Sequence, residues 1–512
     1  MLRRYSLPIL LSVLLFFTSG LSALAQGVYP FWVVSYDGPG HANDEVHAMA
    51  IDGKGDIYVT GKSVGTSSSG ADYGTVKYGP DGTVWWVRQY DGPGHGWDAA
   101  YGLGLDDSGY VYVGGESTPA GGIFYDFALI KYSPGGETVW VRRYNGPGDS
   151  YDEINALAVD DSGNILVTGN SYGLGTANDY ATIKYTSGGD TVWVRRYNGA
   201  ANDHDVPTAL TTDRLGNVYV TGYSYGIQND YATIRYSSGG ESLWVRRYNS
   251  SGNASDLARS VAVDDSGNVY VVGNTATIKY SPTGDSLWAR TDVTGHALLL
   301  DRSAYVYVTG GQGTFKCSSQ GQLLWSSSYW GRKLALDSLG NVYLAGGIVD
   351  IQTVKYSPDG EVQWASNYNG DGNGVDQGVD LGIDQNGDLY VTGISWGNGS
   401  GFDYTLFKLY PCSAIPGDVN ESGLVTLTDI VHLVNFIFDK DRPPCQGIDP
   451  GNCWAPQPVC RADVNGSGSS NLGDIIHLVN FIFDKDRPPC LGINPGNCWT
   501  PVPIEACCMP VP

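Results

Sequence analysis

Short runs in which apolar and polar residues alternate recur along residues 31–410, separated by turns rich in Gly, Ser, Asn and Asp. In one representative unit the runs are Asn155–Val159, Asn164–Thr168, Tyr180–Tyr185 and Thr191–Tyr197. Alternation with a period of two is typical of β-strands that bury one face. The pattern therefore predicts units of four short antiparallel strands.

The second strand of each unit has nearly the same sequence in eight copies. They read GDIYVTG (55–61), GYVYVGG (109–115), GNILVTG (163–169), GNVYVTG (216–222), GNVYVVG (267–273), AYVYVTG (304–310), GNVYLAG (340–346) and GDLYVTG (387–393). Successive copies start 54, 54, 53, 51, 37, 36 and 47 residues apart. A period in this range predicts a repeat protein, because one unit cannot bury its own apolar faces. Four strands per unit are typical of a propeller blade.

The fourth strand carries a tryptophan in seven units, one fewer than the eight second strands. These residues are Trp86, Trp140, Trp193, Trp244, Trp288, Trp325 and Trp364. A matching strand, Phe31–Tyr36, precedes the first unit, and the last unit ends at Tyr404–Tyr410 without one. We therefore expect an all-β, eight-bladed β-propeller over residues 26–411, closed by its N-terminal strand.

The motifs DDSGNVYVTG, NDYATIKY followed by a Gly-rich turn, and WVRRYNG resemble the bacterial repeats labelled SBBP, over about residues 31–410. The family label presumes seven blades, whereas this chain has eight copies. The resemblance implies a propeller but names neither a substrate nor a reaction.

The first 25 residues are typical of a secretion signal. Arg3 and Arg4 precede an apolar run over residues 9–17, and Ala23–Ala25 precedes the expected cleavage site. No further apolar stretch approaches membrane-spanning length. The net charge of −23 argues against nucleic-acid binding. We therefore expect a secreted or cell-surface protein with no transmembrane segment.

Residues 412–512 form a separate Cys- and Pro-rich tail that contains a duplication offset by 45 residues. DVNESG at 418–423 corresponds to DVNGSG at 463–468, and each opens an amphipathic helical pattern. Oxygen-bearing residues fall at positions 1, 3, 5, 7, 9 and 12 of each loop, which is the spacing that surrounds Ca²⁺. The predicted ligands are Asp418, Asn420, Ser422, Leu424 (carbonyl), Thr426 and Asp429 in the first loop, and Asp463, Asn465, Ser467, Ser469 (carbonyl), Asn471 and Asp474 in the second. The sequence thus predicts two calcium sites in a small α-helical domain.

This tail resembles a type I dockerin, the calcium-loop module that attaches secreted proteins to a cohesin domain. The resemblance implies a cohesin-like or other envelope protein as partner. Serine replaces the usual carboxylate or amide at position 5 of each loop. The dipeptide that reads the partner falls on Val434-Asn435 and Val479-Asn480, where the family frequently has a basic pair. Apolar residues at i, i+3, i+4 and i+7 from Ile430 predict the buried stripe of the first helix. The candidate partner-face residues are Thr428, Asn435, Phe436, Asp439, Asn480, Phe481 and Asp484, although both phenylalanines also fit the edge of the core.

Eight of the nine cysteines lie in the tail, and Cys317 lies in the propeller. An even number of cysteines in a short exported segment indicates disulfides. Zinc is the alternative, although no C-x-x-C pair is present. For Cys317 the simplest interpretation is a small buried apolar residue.

Two sets of loops predict a ligand face on the propeller. The loops into the first strands carry Asp44, Asp98, Asp152, Asp205, Asp256 and Asp376. The loops between strands two and three carry Asp72, Asp126, Asp179, Asp230 and Asp403, most of them beside a tyrosine. The candidate ligand residues are Asp126, Asp179, Tyr180, Asp230, Tyr231, Asp403 and Tyr404. These loops shorten in the middle of the chain, so we expect a groove with a low side over units five to seven. Its acids and tyrosines would suit a cation-bridged glycan or a basic protein segment. The alternative is that the acids only cap turns.

Catalytic motifs are not recognisable in the sequence, and paired turn acids such as Asp160 and Asp161 favour hairpin formation over acid–base chemistry. The expected function is a secreted, noncatalytic binding or display propeller docked to an extracellular assembly by its calcium-dependent tail. Two alternatives remain: a polysaccharide-active lyase or glycosidase carrying a dockerin, and a structural spacer or adhesin of the envelope.

Overall fold

A computed structural model of the chain describes residues 28–65, 70–252, 254–397, 399 and 401–411. Within these residues 32 β-strands form eight four-stranded antiparallel sheets. No helix among the described residues has the length and apolar character needed to cross a membrane. The predicted signal segment and the whole tail, with its calcium ligands and partner-face residues, lie outside the described residues.

Each blade uses four consecutive strands, the first lying innermost. Blades one to four comprise β2 (Glu45–Ile51), β3 (Ile57–Val64), β4 (Ala71–Tyr78) and β5 (Val84–Tyr90); β6 (Asp98–Leu105), β7 (Val111–Ser117), β8 (Asp126–Tyr132) and β9 (Thr138–Tyr144); β10 (Asp152–Val159), β11 (Ile165–Tyr172), β12 (Asn178–Tyr185) and β13 (Thr191–Tyr197); and β14 (Asp205–Thr212), β15 (Val218–Tyr225), β16 (Asn229–Tyr236) and β17 (Ser242–Tyr248).

The remaining blades follow the same order, except that the last takes its outer strand from the start of the chain. Blades five to eight comprise β18 (Ala258–Val263), β19 (Val269–Gly273), β20 (Thr277–Tyr280) and β21 (Ser286–Arg290); β22 (Ala297–Leu300), β23 (Val306–Gly310), β24 (Gly313–Cys317) and β25 (Leu323–Ser327); β26 (Lys333–Leu336), β27 (Val342–Gly346), β28 (Ile351–Tyr356) and β29 (Val362–Tyr368); and β30 (Gln377–Ile383), β31 (Leu389–Trp396), β32 (Phe402–Pro411) and β1 (Val28–Tyr36).

The ring closes through the N-terminal strand, as the sequence predicts. Strand β1 pairs antiparallel with β32, in a register that places Tyr36 opposite Tyr404 and Val28 opposite Pro411. The eight innermost strands contact one another in sequence, and β2 also contacts β30, so the circle is complete. The predicted count of eight closed blades is therefore confirmed.

The central strands are buried because both of their faces are covered by neighbouring blades. Residues Ile57–Gly61, for example, are all buried, whereas Val84 and Trp85 of the outer strand are mostly exposed. The repeated tryptophan links most blades to the next, although Trp364 Nε1 makes no such bond among the described residues: Trp193 Nε1, for example, donates a hydrogen bond to the Ser238 carbonyl (3.1 Å). Its ring packs on Gly240, whose φ of 85° and close contact both exclude a Cβ.

The DSGN turns are structural, as expected. Asp160 Oδ1 accepts hydrogen bonds from the Ser162 and Asn164 amides, and Asp160 Oδ2 lies 2.9 Å from Lys184 Nζ. In other blades the turn acid also holds the second-strand tyrosine, as Asp213 does with the Tyr219 hydroxyl (2.9 Å). Cys317 is a free, buried thiol in the apolar core, which agrees with the simplest interpretation of it.

Candidate functional site

The entry-loop acids are buried and hold the loops of neighbouring strands together. Asp44 is 0% exposed, and its carboxylate accepts hydrogen bonds from the Gly38 amide (2.5 Å) and the Val64 amide (2.7 Å). Asp98 and Asp376 make the equivalent pairs of bonds. These carboxylates are therefore turn caps, which is the alternative that the sequence left open.

The tyrosines expected on the ligand face are core residues, which corrects that expectation. Tyr180, Tyr231 and Tyr404 are at most 1% exposed, and each hydroxyl donates to a backbone carbonyl of the following blade. The acceptors are Ala232 (3.2 Å), Ala276 (3.1 Å) and Gly74 (3.3 Å). Alternation along the third strand turns these rings into the interface between blades rather than towards solvent.

Three of the four candidate aspartates form ion pairs with an arginine of the adjacent fourth strand. The pairs are Asp126–Arg143 (3.4 Å), Asp179–Arg196 (2.8 Å) and Asp230–Arg247 (2.9 Å). The fourth candidate, Asp403, lies instead beside Asp37 and Asp44 at the closure between the last and first blades. These side chains hold strands and blades together, so the ligand-face candidates do not form a single exposed site.

A different set of side chains converges on the axis of the ring. In six inner strands the pairing with the second strand is interrupted by a β-bulge at one residue, which is left unpaired. The bulged residues are His47, Tyr101, Asn155, Thr208, Arg259 and Val379. We define the axial mouth as these six residues together with residues at the same end of the first and second strands, namely Glu45, Glu116, Glu153, Tyr223, His296 and Arg332.

Several bulge side chains connect neighbouring inner strands. His47 Nδ1 donates to the Ala100 carbonyl (2.7 Å), Asn155 Nδ2 to the Pro207 carbonyl (2.7 Å) and Thr208 Oγ1 to the Ala258 carbonyl (2.9 Å). Each acceptor immediately precedes a bulge of the next blade. Three of the bulge side chains thus tie the backbone of one inner strand to that of the next at the axial mouth.

One half of the axial mouth is acidic. Glu45 is paired with Lys62 (2.7 Å), and the buried Glu116 accepts hydrogen bonds from Trp97 Nε1 (2.8 Å) and the Tyr101 hydroxyl (2.9 Å). Glu153 lies in the next blade, where burial, and then the charge of Glu116, raise the pKa of its carboxyl to about 7. This half therefore holds carboxylates in a poorly solvated position.

The opposite half is basic and more exposed. Arg259, His296 and Arg332 come from blades five to seven, and Arg332 Nη2 donates to Gln377 Oε1 (3.0 Å). Burial, followed by the charges of both arginines, lowers the pKa of His296. Tyr223 lies between the two halves: burial raises the pKa of its hydroxyl, the Arg259 charge lowers it and the Glu153 charge raises it. Such a charge-separated surface favours a ligand that carries groups of both signs.

The wall around the axial mouth is lower on the basic side. The second and third strands of blades five and six contain four or five residues, whereas those of blade three contain eight. At about 3.3 Å per residue, this difference lowers the wall by roughly 10 Å. The strand lengths agree with the shortened loops noted in the sequence.

The residue at the bulge position varies from blade to blade, which the sequence already shows and the loop acids do not reveal. Positions that hold the blades together repeat, such as Asp44 and its equivalents, whereas the bulge position holds a different residue in each of six blades. A residue type that a repeated fold needs should recur, so the repeat does not specify the side chain at the bulge position.

Comparisons with known proteins agree with this architecture. Three segments, residues 139–175, 192–229 and 243–277, match the SBBP beta-propeller repeat. An uncharacterized WD repeat-containing protein of Acanthamoeba polyphaga mimivirus is 24% identical over 202 residues, which cover 29% of this chain and 14% of the viral protein. The chain therefore spans only a small part of that relative's length.

Solved propellers resemble the chain in fold at low sequence identity. Sqt1 from Chaetomium thermophilum is 12% identical, with a TM-score of 0.50 over 75% of this chain and 99% of Sqt1. The Dos1 propeller is also 12% identical, with a TM-score of 0.47 over 74% of this chain and 95% of its own. The protein is thus an all-β, eight-bladed propeller that contains SBBP beta-propeller repeats.

Proposed function

We propose that this protein is an exported, noncatalytic binding or display propeller that binds its ligand at the axial mouth. The observation that carries the proposal is the contrast between repeated and varied positions. The buried acids and tryptophans that link blades recur from unit to unit. The bulge position instead holds His, Tyr, Asn, Thr, Arg or Val, although three of these side chains also bond the next inner strand. The fold alone does not require this variation.

The charges of the axial mouth define the ligand class. Glu116 and Glu153 lie opposite Arg259 and Arg332, so a glycan or protein segment with both cationic and anionic groups would satisfy both halves. The lower wall over blades five to seven leaves an entry for an extended chain. A large ligand of this kind fits a propeller that displays or captures material outside the cell.

The tail supplies the attachment in this proposal. Two aligned calcium loops at 418–429 and 463–474, each followed by an amphipathic pattern, support a dockerin-like module. Its partner would be a cohesin-like or other envelope protein. The signal-like segment at residues 1–25 supports export. The tail cysteines and calcium loops support it independently, because both suit an oxidising, calcium-rich compartment.

Capture of ligands from culture supernatant by the full-length protein tests the site. Arg259→Ala with Arg332→Ala, or Glu153→Gln, is expected to reduce capture at least tenfold while leaving the melting temperature within a few degrees. Arg214→Ala is the matched control, because Arg214 is an exposed arginine on the opposite face, paired with Asp265 at 3.2 Å. Equal loss of capture in the control and the mouth variants would contradict the proposal.

One observation favours a second candidate, a polysaccharide-active enzyme. Glu116 is buried and Glu153 in the next blade is half-buried, and desolvation is the main cause that raises the pKa of both carboxyls. A carboxyl with a pKa near 7 suits general acid catalysis at neutral pH. Activity on a panel of acidic and neutral polysaccharides that disappears in Glu153→Gln would establish this alternative. Binding without turnover would support the display function.

A further inference from the structure

The first and last blades lack an arginine that three other blades have on the fourth strand. The fourth-strand motif reads WVRRY at Trp140, Trp193 and Trp244, and its second arginine pairs with the third-strand aspartate of the same blade. At the first blade this residue is Gln89, and in the N-terminal strand it is Ser35. Two residues later, the same two strands carry Asp91 and Asp37 where the arginine-containing strands carry asparagine.

These exchanges bring three carboxylates together at each of two interfaces between blades. Asp72 from the third strand of blade one, Asp91 after its fourth strand and Asp98 from blade two each place an oxygen within 4.8 Å of the others. Asp403, Asp37 and Asp44 form the equivalent group between blades eight and one. Each interface thus loses a positive charge and gains a negative one, so both exchanges make it more negative.

Asp72 has a carboxylate oxygen that no donor among the described residues satisfies. The residue is only 6% exposed, and its Oδ1 is buried with no hydrogen-bond partner among the described residues. The equivalent Asp179 also has a buried Oδ1 without a partner among these residues, but its Oδ2 receives the Arg196 guanidinium at 2.8 Å, a cation that Asp72 lacks. Burying a carboxylate without a cation or donor is costly, so a missing partner is indicated at this position.

Asp91 and Asp98 face the same point but are held by different contacts. Asp98 accepts hydrogen bonds from the Gly92 and Thr118 amides, which fix its orientation. Asp91 Oδ2 lies 2.6 Å from Nδ1 of the exposed His95. Burial, then the charges of Asp91 and Asp98, raise the pKa of the Asp72 carboxyl to about 6. The three acids therefore repel one another across the interface.

We propose that Asp72, Asp91 and Asp98 bind a divalent cation, most simply Ca²⁺, and that Asp37, Asp44 and Asp403 form a second site of the same kind. Calcium binds oxygen ligands at about 2.3–2.6 Å, so two of its ligands lie no more than about 5 Å apart. The spacing of the carboxylate oxygens satisfies this limit. Each ion would join the end of one blade to the first strand of the next, on both sides of blade one.

The test counts bound ions in the full-length protein with the tail loops disabled by Asp429→Ala and Asp474→Ala. Terbium luminescence with calcium competition at pH 7.5 is expected to report two ions in this background. Asp72→Asn should leave one ion, and Asp72→Asn with Asp403→Asn should leave none. Gln89→Arg provides a second variant that removes no carboxylate, and it should weaken the first site at least tenfold because the guanidinium pairs with Asp72.

Asp179→Asn is the matched control, since Arg196 already balances that aspartate. The control is expected to keep both ions, and circular dichroism should confirm that each variant retains the β-structure of the parent. The proposal is overturned if the parent background binds no ion at millimolar calcium. It is also overturned if Asp72→Asn with Asp403→Asn still binds two ions, or if Asp179→Asn loses as many as Asp72→Asn.

Discussion

Tyr36 of the N-terminal strand packs against Tyr404 of the last strand, with ring centroids 5.3 Å apart, and the two residues are register partners. They are separated by almost the whole propeller in sequence. Their contact closes the ring, because it joins the first described strand to the last blade and leaves no open sheet edge there.

Deletion of residues 28–36 should therefore destabilise the protein far more than an ordinary terminal truncation. It exposes the edge of β32 and removes Trp32, whose Nε1 donates to the Pro80 carbonyl of the first blade (3.2 Å). We expect aggregation, or a melting temperature lower by roughly 10 °C or more. Val33→Ala in the same strand is the control, since Val33 is 39% exposed. A truncated protein that melts like the parent would show that β1 is dispensable for closure.

The tryptophan that links blades should contribute measurably to stability. Trp193→Phe removes the hydrogen bond to Ser238 and should cost about 1–2 kcal/mol. Trp193→Ala also removes packing on Gly240 and should cost about 3–5 kcal/mol. Chemical denaturation measures both. Trp85→Ala, at a residue 63% exposed, should change stability much less. Comparable losses in Trp85→Ala and Trp193→Ala would contradict the role of this link.

Glu153 predicts a specific pH dependence of stability. Its folded-state pKa, raised by burial and by Glu116 to about 7, exceeds the value of about 4.3 expected in the unfolded chain. Between these two pH values the folded protein therefore binds one proton more than the unfolded chain. The contribution of Glu153 to the free energy of unfolding falls as pH rises from about 4.3 to about 7 and is fully lost above that range.

Glu153→Gln removes this penalty. The variant should gain roughly 1–3 kcal/mol relative to the parent at pH 8 and little at pH 4.5, as measured by denaturation at each pH. Glu361→Gln, an exposed turn residue on the opposite face, is the control. A constant difference between Glu153→Gln and the parent across this range would show that Glu153 does not titrate as expected.

The tail should need calcium for its helical structure, because its ligands cannot remain clustered without the cation. Asp429→Ala and Asp474→Ala should each abolish one site, since position 12 supplies the expected bidentate ligand. Calorimetry should report one fewer ion for each variant, and circular dichroism should show loss of helix in chelator. Reduced and oxidised samples should be compared, because disulfides could retain structure without calcium. Unchanged calcium binding in the double variant would disprove the loop assignment.

The sequence by itself determined the architecture of the propeller. Eight second strands, seven fourth-strand tryptophans and the matching strand Phe31–Tyr36 required eight blades and closure by the N-terminal strand. This inference succeeds because each blade repeats the same short-range pattern, and because alternation along a strand is a local property. The role of the DSGN acids was predictable for the same reason, since their hydrogen bonds span only a few residues.

Only the tertiary structure decided which side chains face the ligand and which face a neighbouring blade. Asp179 and Tyr180 are adjacent on β12. The ring of Tyr180 is nevertheless buried against blade four, whereas Asp179 pairs with Arg196. Glu153 and Arg259 are distant in sequence, but the closure of the ring directs both to its axis. The carboxylates at Asp72, Asp91 and Asp98 likewise meet only because two blades pack together. Contacts between blades depend on the relative placement of whole sheets, which no local pattern encodes.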